Sequence, residues 1–235
     1  MDFYDLYVPA EDVDKAVEMG EKLGFSGIGI AMQYGGEEDI DGFIDEVDER
    51  NGKTDLDLVT CCDIDVESVD MLKRLVGKVR QKVEIVAVRG GDLDINKAAV
   101  RDSRVDILLH PEHRRKDRGL DHKIANSASK NDVALGVVLH PLLQTYGKLR
   151  SHIFKHIMDN LELCDKYNAP VVITSGARKG LEMRDPRELA SLAECLGTES
   201  GSSIDMVSSV PRRIVNRNRK KLEGKVRKRG VEETD

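Results

Sequence analysis

Two histidine pairs have the spacing of metal ligands. His110 and His113 stand three apart, and His152 and His156 stand four apart with Asp159 a further turn on, either of which suits a metal ion. The second pair falls beside the polar face of a long amphipathic helix, where solvated histidines are commonplace, so each is a motif match without confirming context. The four cysteines (Cys61, Cys62, Cys164, Cys195) show neither zinc spacing nor a disulfide framework. Cys61 and Cys62 are adjacent in a predicted strand and therefore point to opposite faces, which favours reduced, buried thiols over a catalytic one. Ser175-Gly176 lacks the flanks of a nucleophile elbow, and no Gly-Lys-Ser/Thr follows to make a phosphate loop. Ser175 to Gly180 reads equally as a tight turn after a strand or as backbone N–H groups, with Arg178 and Lys179, offered to a phosphate.

Charge is the stronger signal. The net charge is −6, but residues 1–70 sum to −17, residues 71–130 to +7 and residues 212–229 to +9. Such asymmetry implies an acidic side and a basic side, and the density of the basic side suits a polyanionic partner. Arg114, Arg115, Lys116 and Arg118 in one loop, Arg178 and Lys179 in another, and Arg212, Arg213, Arg217, Arg219, Lys220, Lys221 and Arg227 near the C-terminus could each neutralise a phosphate. Aromatic residues make up 4% and none is interleaved with the basic runs. That favours contact with the phosphates or shape of a folded RNA over stacking on single-stranded bases. The acidic first third is expected to face solvent or a protein partner.

The elements that must position these residues alternate. Strands are predicted over Phe3–Val8, Gly27–Ala31, Leu56–Cys62, Val83–Val88, Val105–Leu109, Ala134–Leu139 and Val171–Ile173, with helices between them. The longest helix carries Leu149, Ile153, Ile157, Leu161 and Cys164 on one face and stops at Asn168-Ala169-Pro170. Asp12, Asp121 and Asp185 are placed to start helices, Gly197–Ser203 reads as a loop, and a basic helix headed by Pro211 carries Ile214, Val215, Leu222 and Val226. Seven strands, short connections and an aliphatic core without tryptophan fit an α/β TIM-like barrel of about seven parallel strands. The expected organisation is a barrel over residues 1–203 and a basic C-terminal helical extension over 204–235, packed on or beside it. No apolar run reaches the roughly 18 residues of a membrane span, and no leader is read at the N-terminus, so a cytoplasmic protein is expected. In such a barrel the loops after the strands form the working face. Two readings with chemistry use it: a metal-dependent phosphoesterase on Asp5, Asp63, His110 and His140, and a sugar-phosphate enzyme binding at Ser175–Arg178.

Several stretches in order resemble one family. Phe3-Tyr4-Asp5-Leu6, Arg118-Gly119-Leu120-Asp121-His122, the block Asn160–Ala177, Leu181–Pro186 and Val207-Ser208-x-x-Pro211 are similar to archaeal ribonuclease P protein component 3. The resemblance covers nearly the whole chain. It implies a barrel related to the polymerase-and-histidinol-phosphatase group of metal-dependent phosphoesterases, a group that opens with His-x-His after its first strand. Here Tyr7-Val8-Pro9 stands there, so the leading ligands that would activate a water are missing and no independent protein active site is expected. The implied role is to bind and stabilise the catalytic RNA of ribonuclease P, whose RNA and Mg ions remove 5′ leaders from precursor tRNA. The protein itself would hold no cofactor. The implied partners are that RNA, precursor tRNA, ribonuclease P protein component 2 as a heterodimer paired into a heterotetramer, and the other proteins of the complex.

Overall fold

Seven apolar runs become seven parallel strands in a computed structural model that describes residues 1–224 and the backbone of 226–228 and 231–232. They are β1 (Tyr4–Val8), β2 (Gly27–Tyr34), β3 (Asp57–Ile64), β4 (Ile85–Arg89), β5 (Ile107–Leu109), β6 (Ala134–Val138) and β7 (Val171–Thr174). They lie side by side in chain order, each parallel to the next, which the helix between each pair of strands allows. Helices α1 (Val13–Lys22), α2 (Ile40–Asn51), α3 (Val69–Val79), α4 (Leu93–Arg101), α5 (His122–Asn131), α6 (His140–Gln144), α7 (Gly147–Tyr167) and α8 (Pro186–Cys195) surround them. Asp12, Asp39, Ser68, Asp92, Asp121 and Asp185 each accept a backbone N–H in the first turn of the helix that follows, which satisfies amides the helix leaves unpaired.

Alternation along the strands divides the core into two layers. Ile28, Ile30, Leu58, Cys62, Val86, Val88, Leu108 and Ile173 join the helices in the outer layer, whereas Leu6, Val59, Cys61, Ile85, Ala87, Ile107, Leu109 and Val172 fill the barrel. Cys61 and Cys62 thus part as predicted, and burial pushes the Cys62 thiol up to about 12. A thiol held protonated is a poor nucleophile.

The barrel is nearly closed. At its upper end Gly176 donates to the Tyr7 carbonyl (3.2 Å) and Tyr7 N–H donates to Thr174 Oγ1 (3.1 Å). Lower down the seam is filled by Met206-Val207, whose carbonyls accept from Ile173 (3.1 Å) and Tyr4 (2.9 Å).

Two expectations for the C-terminal part are corrected. Gly197–Ser203 was expected as a loop, but Ser200–Asp205 forms a short helix, α9, with Ser203 buried and bonded to Glu194 and the Ser200 carbonyl. The basic helix α10 (Ser209–Leu222) stops before Val226 at Gly224, whose φ of +77° suits glycine. Residues 226–228 instead form a strand, β8, antiparallel to β9 (Val231–Glu232), and the Arg227 side chain lies outside the described residues. Ile214 and Val215 of α10 are fully buried in the inner layer with Leu6, Ile85 and Ala134, so α10 caps the base of the barrel. Burying two such side chains stabilises by about 1.5–3 kcal/mol each.

Candidate nucleic-acid interface

Of the cations singled out in the sequence, the twelve other than Arg227 fall at opposite ends of the barrel. Those of the strand-following loops lie at the rim formed by the C-terminal ends of the strands, and those of α10 lie at the base.

At the rim, the loop from His110 to Leu120 leaves β5 with two non-glycine residues in the left-handed region, His110 (φ 48°) and Arg114 (φ 55°). Two buried asparagines hold it. Asn96 donates to the carbonyls of Pro111 (2.9 Å) and Gly119 (3.0 Å), and Asn160 donates to that of Arg118 (2.8 Å). Gly119 is required there, because its φ is +74° and a Cβ would lie 1.9 Å from the Pro111 carbonyl oxygen. Of the loop cations, Arg114 and Lys116 are exposed. Arg115 is turned onto Asp117 (2.7 Å) and the Gly91 carbonyl, which with the Gly119 N–H holds the Asp117 carboxyl down to about 2. Arg118 reaches back to the carbonyls of Leu120 and Asp159.

The turn after β7 presents Arg178 and Lys179 as exposed side chains. Its backbone N–H groups are already engaged: Glu182 Oε2 accepts from Arg178 (2.9 Å) and Lys179 (3.3 Å) and lies 3.4 Å from His140 Nδ1. The chain's own carboxylate occupies the nest read as a phosphate seat.

Inside the rim, a bulge in β1 between Asp5 and Val8 brings Tyr7 into the inner layer. Tyr7 Oη donates to Asp63 Oδ2 (2.7 Å). Arg89 bonds the same Asp63 oxygen and Tyr7 Oη (3.0 Å) and lies 3.6 Å from Asp65. Burial, and then the Asp63 charge, push the Tyr7 phenol up. Arg89 was not foreseen as a site residue; the signal available was a cation at an inward position ending an apolar strand. Asp5 is wholly buried and takes Thr174 Oγ1 and the Ser175 N–H (3.2 Å), while burial raises its carboxyl to about 6.

These residues do not fit a metal. Asp63 holds a guanidinium, Asp5 holds backbone and hydroxyl donors, Tyr7 offers a phenol already bonded to Asp63, and no cluster of three ligating residues occurs among the described residues. His110 is 3.9 Å from Glu112 and His140 Nδ1 lies 3.4 Å from Glu182, buried and without a hydrogen bond, so the ligand set Asp5, Asp63, His110 and His140 is dispersed into separate surroundings. His152 and His156 are ring neighbours at 6.4 Å between centroids, on the outside of α7.

At the base, all four arginines of α10 meet carboxylates at the starts of strands. Arg219 binds Asp57 (2.6 Å) and Glu84 (2.5 Å). Arg217 binds Asp106 (2.8 Å) and Asp132, Arg213 binds Asp132 (2.7 Å), and Arg212 binds Asp2 (2.8 Å). Asp106 is fully buried and also accepts from Arg80 and the Val86 N–H (2.9 Å). Lys220 is exposed; Lys221 is half-buried, and burial together with the Arg217 charge lowers its pKa.

Comparison with known proteins agrees across the whole length. The family model described as RNase P subunit p30 matches residues 2–223. The chain is 36% identical to ribonuclease P protein component 3 of Methanococcoides burtonii, over 92% of this chain and 88% of that one. It is 34% identical to the component 3 of Methanosarcina barkeri, over 92% and 90%. Among solved structures, a chain of archaeal ribonuclease P with mature tRNA superposes with a TM-score of 0.85 at 29% identity, covering 99% of this chain and 98% of that one. Histidinol phosphate phosphatase of Lactococcus lactis superposes with a TM-score of 0.58 at 10% identity, covering 84% and 93%, a likeness of fold alone.

Proposed function

Because the chain belongs to the RNase P subunit p30 family, we propose that it serves ribonuclease P by binding and stabilising the catalytic RNA through its rim cations. Its role is that of a protein subunit of ribonuclease P, the complex that processes tRNA 5′ ends. The chemistry belongs to the RNA and its Mg ions, and the protein contributes positioning and charge. The observation that carries this division of labour is the Tyr7–Asp63–Arg89 cluster: a fixed guanidinium balances the carboxylate at the mouth of the barrel, and an arginine, unlike a bound metal, cannot lower the pKa of a water it coordinates. The metal-dependent phosphoesterase reading is accordingly not favoured.

Exposure of Arg114, Lys116, Arg178 and Lys179 supports the rim as the face turned to RNA. Arg115 and Arg118 shape its loop. Arg212, Arg213, Arg217 and Arg219 serve the base of the barrel first, and reach RNA only by sharing those carboxylates. The protein partner is ribonuclease P protein component 2, as a heterodimer paired into a heterotetramer, beside the other proteins of the complex and precursor tRNA. The site of action is the cytoplasm; among the described residues no helix is long and apolar enough to cross a membrane.

The test is reconstitution of the RNA with its companion proteins, with and without this chain, following release of the 5′ leader. Omission should lower cleavage at modest magnesium, with partial rescue at high magnesium. Unchanged cleavage on omission, with metal-dependent phosphoester hydrolysis by the isolated chain, would sink the reading.

A further inference from the structure

We propose that Tyr146 and Arg150, at the head of α7, form a stacking platform for an unpaired base of the RNA, a site that rests on the RNA-binding reading above. Tyr146 is 77% exposed, and Leu143 and Leu149 beside it in sequence are 37% and 58% exposed. The sequence places Leu149 on the apolar stripe of α7, but that stripe is covered only from Ile153 onward. The Arg150 guanidinium lies over the Tyr146 ring at 5.0 Å from its centroid. It is fixed there by the Thr145 carbonyl (2.6 Å), and no carboxylate pairs with it among the described residues.

The setting identifies the occupant. Residues 133–158 contain no Asp or Glu but include Lys148, Arg150 and Lys155. A polyanion is complementary to such a surface, and a basic protein is repelled by it. The head of α7 differs from those of the six capped helices: Tyr146 makes no side-chain cap and no acid stands in the first turn, so two cations sit at the positive end of the helix dipole, where an anion is favoured. An exposed aromatic ring backed by a guanidinium is what stacking of a nucleobase needs, and the flanking leucines offer apolar contact to base and ribose.

The segment that carries the platform is tied to both basic loops of the rim. His140, which opens α6, lies 3.4 Å from Glu182, whose carboxylate caps the Arg178–Lys179 turn, and Asn160 and Asp159 of α7 are bonded to Arg118 of the other loop. The scarcity of aromatics favours phosphate contact for most of the surface, and a single ring suffices for one stacked base.

The experiment uses the full chain with ribonuclease P RNA and the companion proteins. Tyr146→Ala should weaken RNA binding roughly 5- to 150-fold at fixed salt, the range expected for one stacked base. The slope of log affinity against log salt should stay unchanged, because a ring neutralises no phosphate. Tyr146→Phe and Tyr146→Trp should retain affinity, whereas Lys148→Ala should reduce the slope by about 1. With the side chain so exposed, the melting temperature should be unaffected. A photo-crosslinker at position 146 should capture RNA. Wild-type affinity in Tyr146→Ala, or capture of a companion protein instead of RNA, would overturn the platform while leaving the subunit role intact. Failure of the wild-type chain itself to bind RNA would remove both.

Discussion

The two mouths of this barrel carry similar numbers of cations and use them oppositely. At the base, Arg212, Arg213, Arg217 and Arg219 each find a carboxylate within 2.8 Å. At the rim, no salt bridge forms at Arg114, Lys116 or Arg178 among the described residues. Strand β3 shows the contrast within one element, since Asp57 at its lower end pairs with Arg219 from a remote helix and Asp63 near its upper end pairs with Arg89 of the neighbouring strand. Density of positive charge along a sequence therefore does not tell which cations the fold leaves unpaired. What matters is whether the fold has already supplied the counter-charge.

The sharpest way to break this contrast is to remove a cation from the base. Arg217→Ala leaves Asp132 and the buried Asp106 each short of a partner and should destabilise the protein by about 3 kcal/mol in denaturant titration, while the folded variant keeps its affinity for RNA. Lost RNA affinity at unchanged stability would move Arg217 to the interface. A comparable but pH-dependent effect belongs to the seam between β1 and β7. Asp5 has a folded pKa of about 6 against 3.8 for an ordinary carboxyl, so the folded state holds this proton more tightly and its contribution is lost as pH rises. Both states are protonated below about pH 4; by above pH 6 the cost reaches about 3 kcal/mol. Asp5→Asn should therefore gain stability relative to wild type between pH 4 and 6, measured by thermal melts across that range; a pH-independent difference would refute it. The smallest stability change is expected at the rim. Arg114→Ala with Lys116→Ala should alter stability by less than about 0.5 kcal/mol yet lower the salt slope of RNA binding by about 2. An unaltered slope would remove the loop from the interface.

Local features of the fold were legible in the sequence. Asp12, Asp121 and Asp185 start helices because a short acceptor before an apolar period satisfies a first-turn amide, and Cys61 and Cys62 divide between layers because a strand has period two. The absence of His-x-His was legible too, whereas the guanidinium of Arg89 on Asp63 was not. What the sequence hid depends on distance along the chain. The partners of Arg219 lie 135 and 162 residues away, beyond anything a periodicity reports. Glu182 turning back onto the amides of Arg178 and Lys179 was hidden for a different reason: a nest for an external anion and a nest filled by the chain's own carboxylate have the same residue types. Ser200–Asp205 was missed because Ser and Gly read as loop, while burial of Ser203 favours the helix.

The Met206-Val207 wedge and the α10 cap also set the order in which this protein can fold. All seven barrel strands are synthesised before the segment that fills the seam and before the arginines that neutralise Asp57, Asp106 and Asp132. The emerging chain therefore begins with an excess of 17 negative charges over its first 70 residues and an open barrel base, a self-repelling state that resists premature collapse. Closure couples residues more than a hundred positions apart, so it comes late and slowly. Nascent chains arrested before residue 206 should be protease-sensitive throughout the barrel, and protection should arrive in a single step once α10 clears the ribosome.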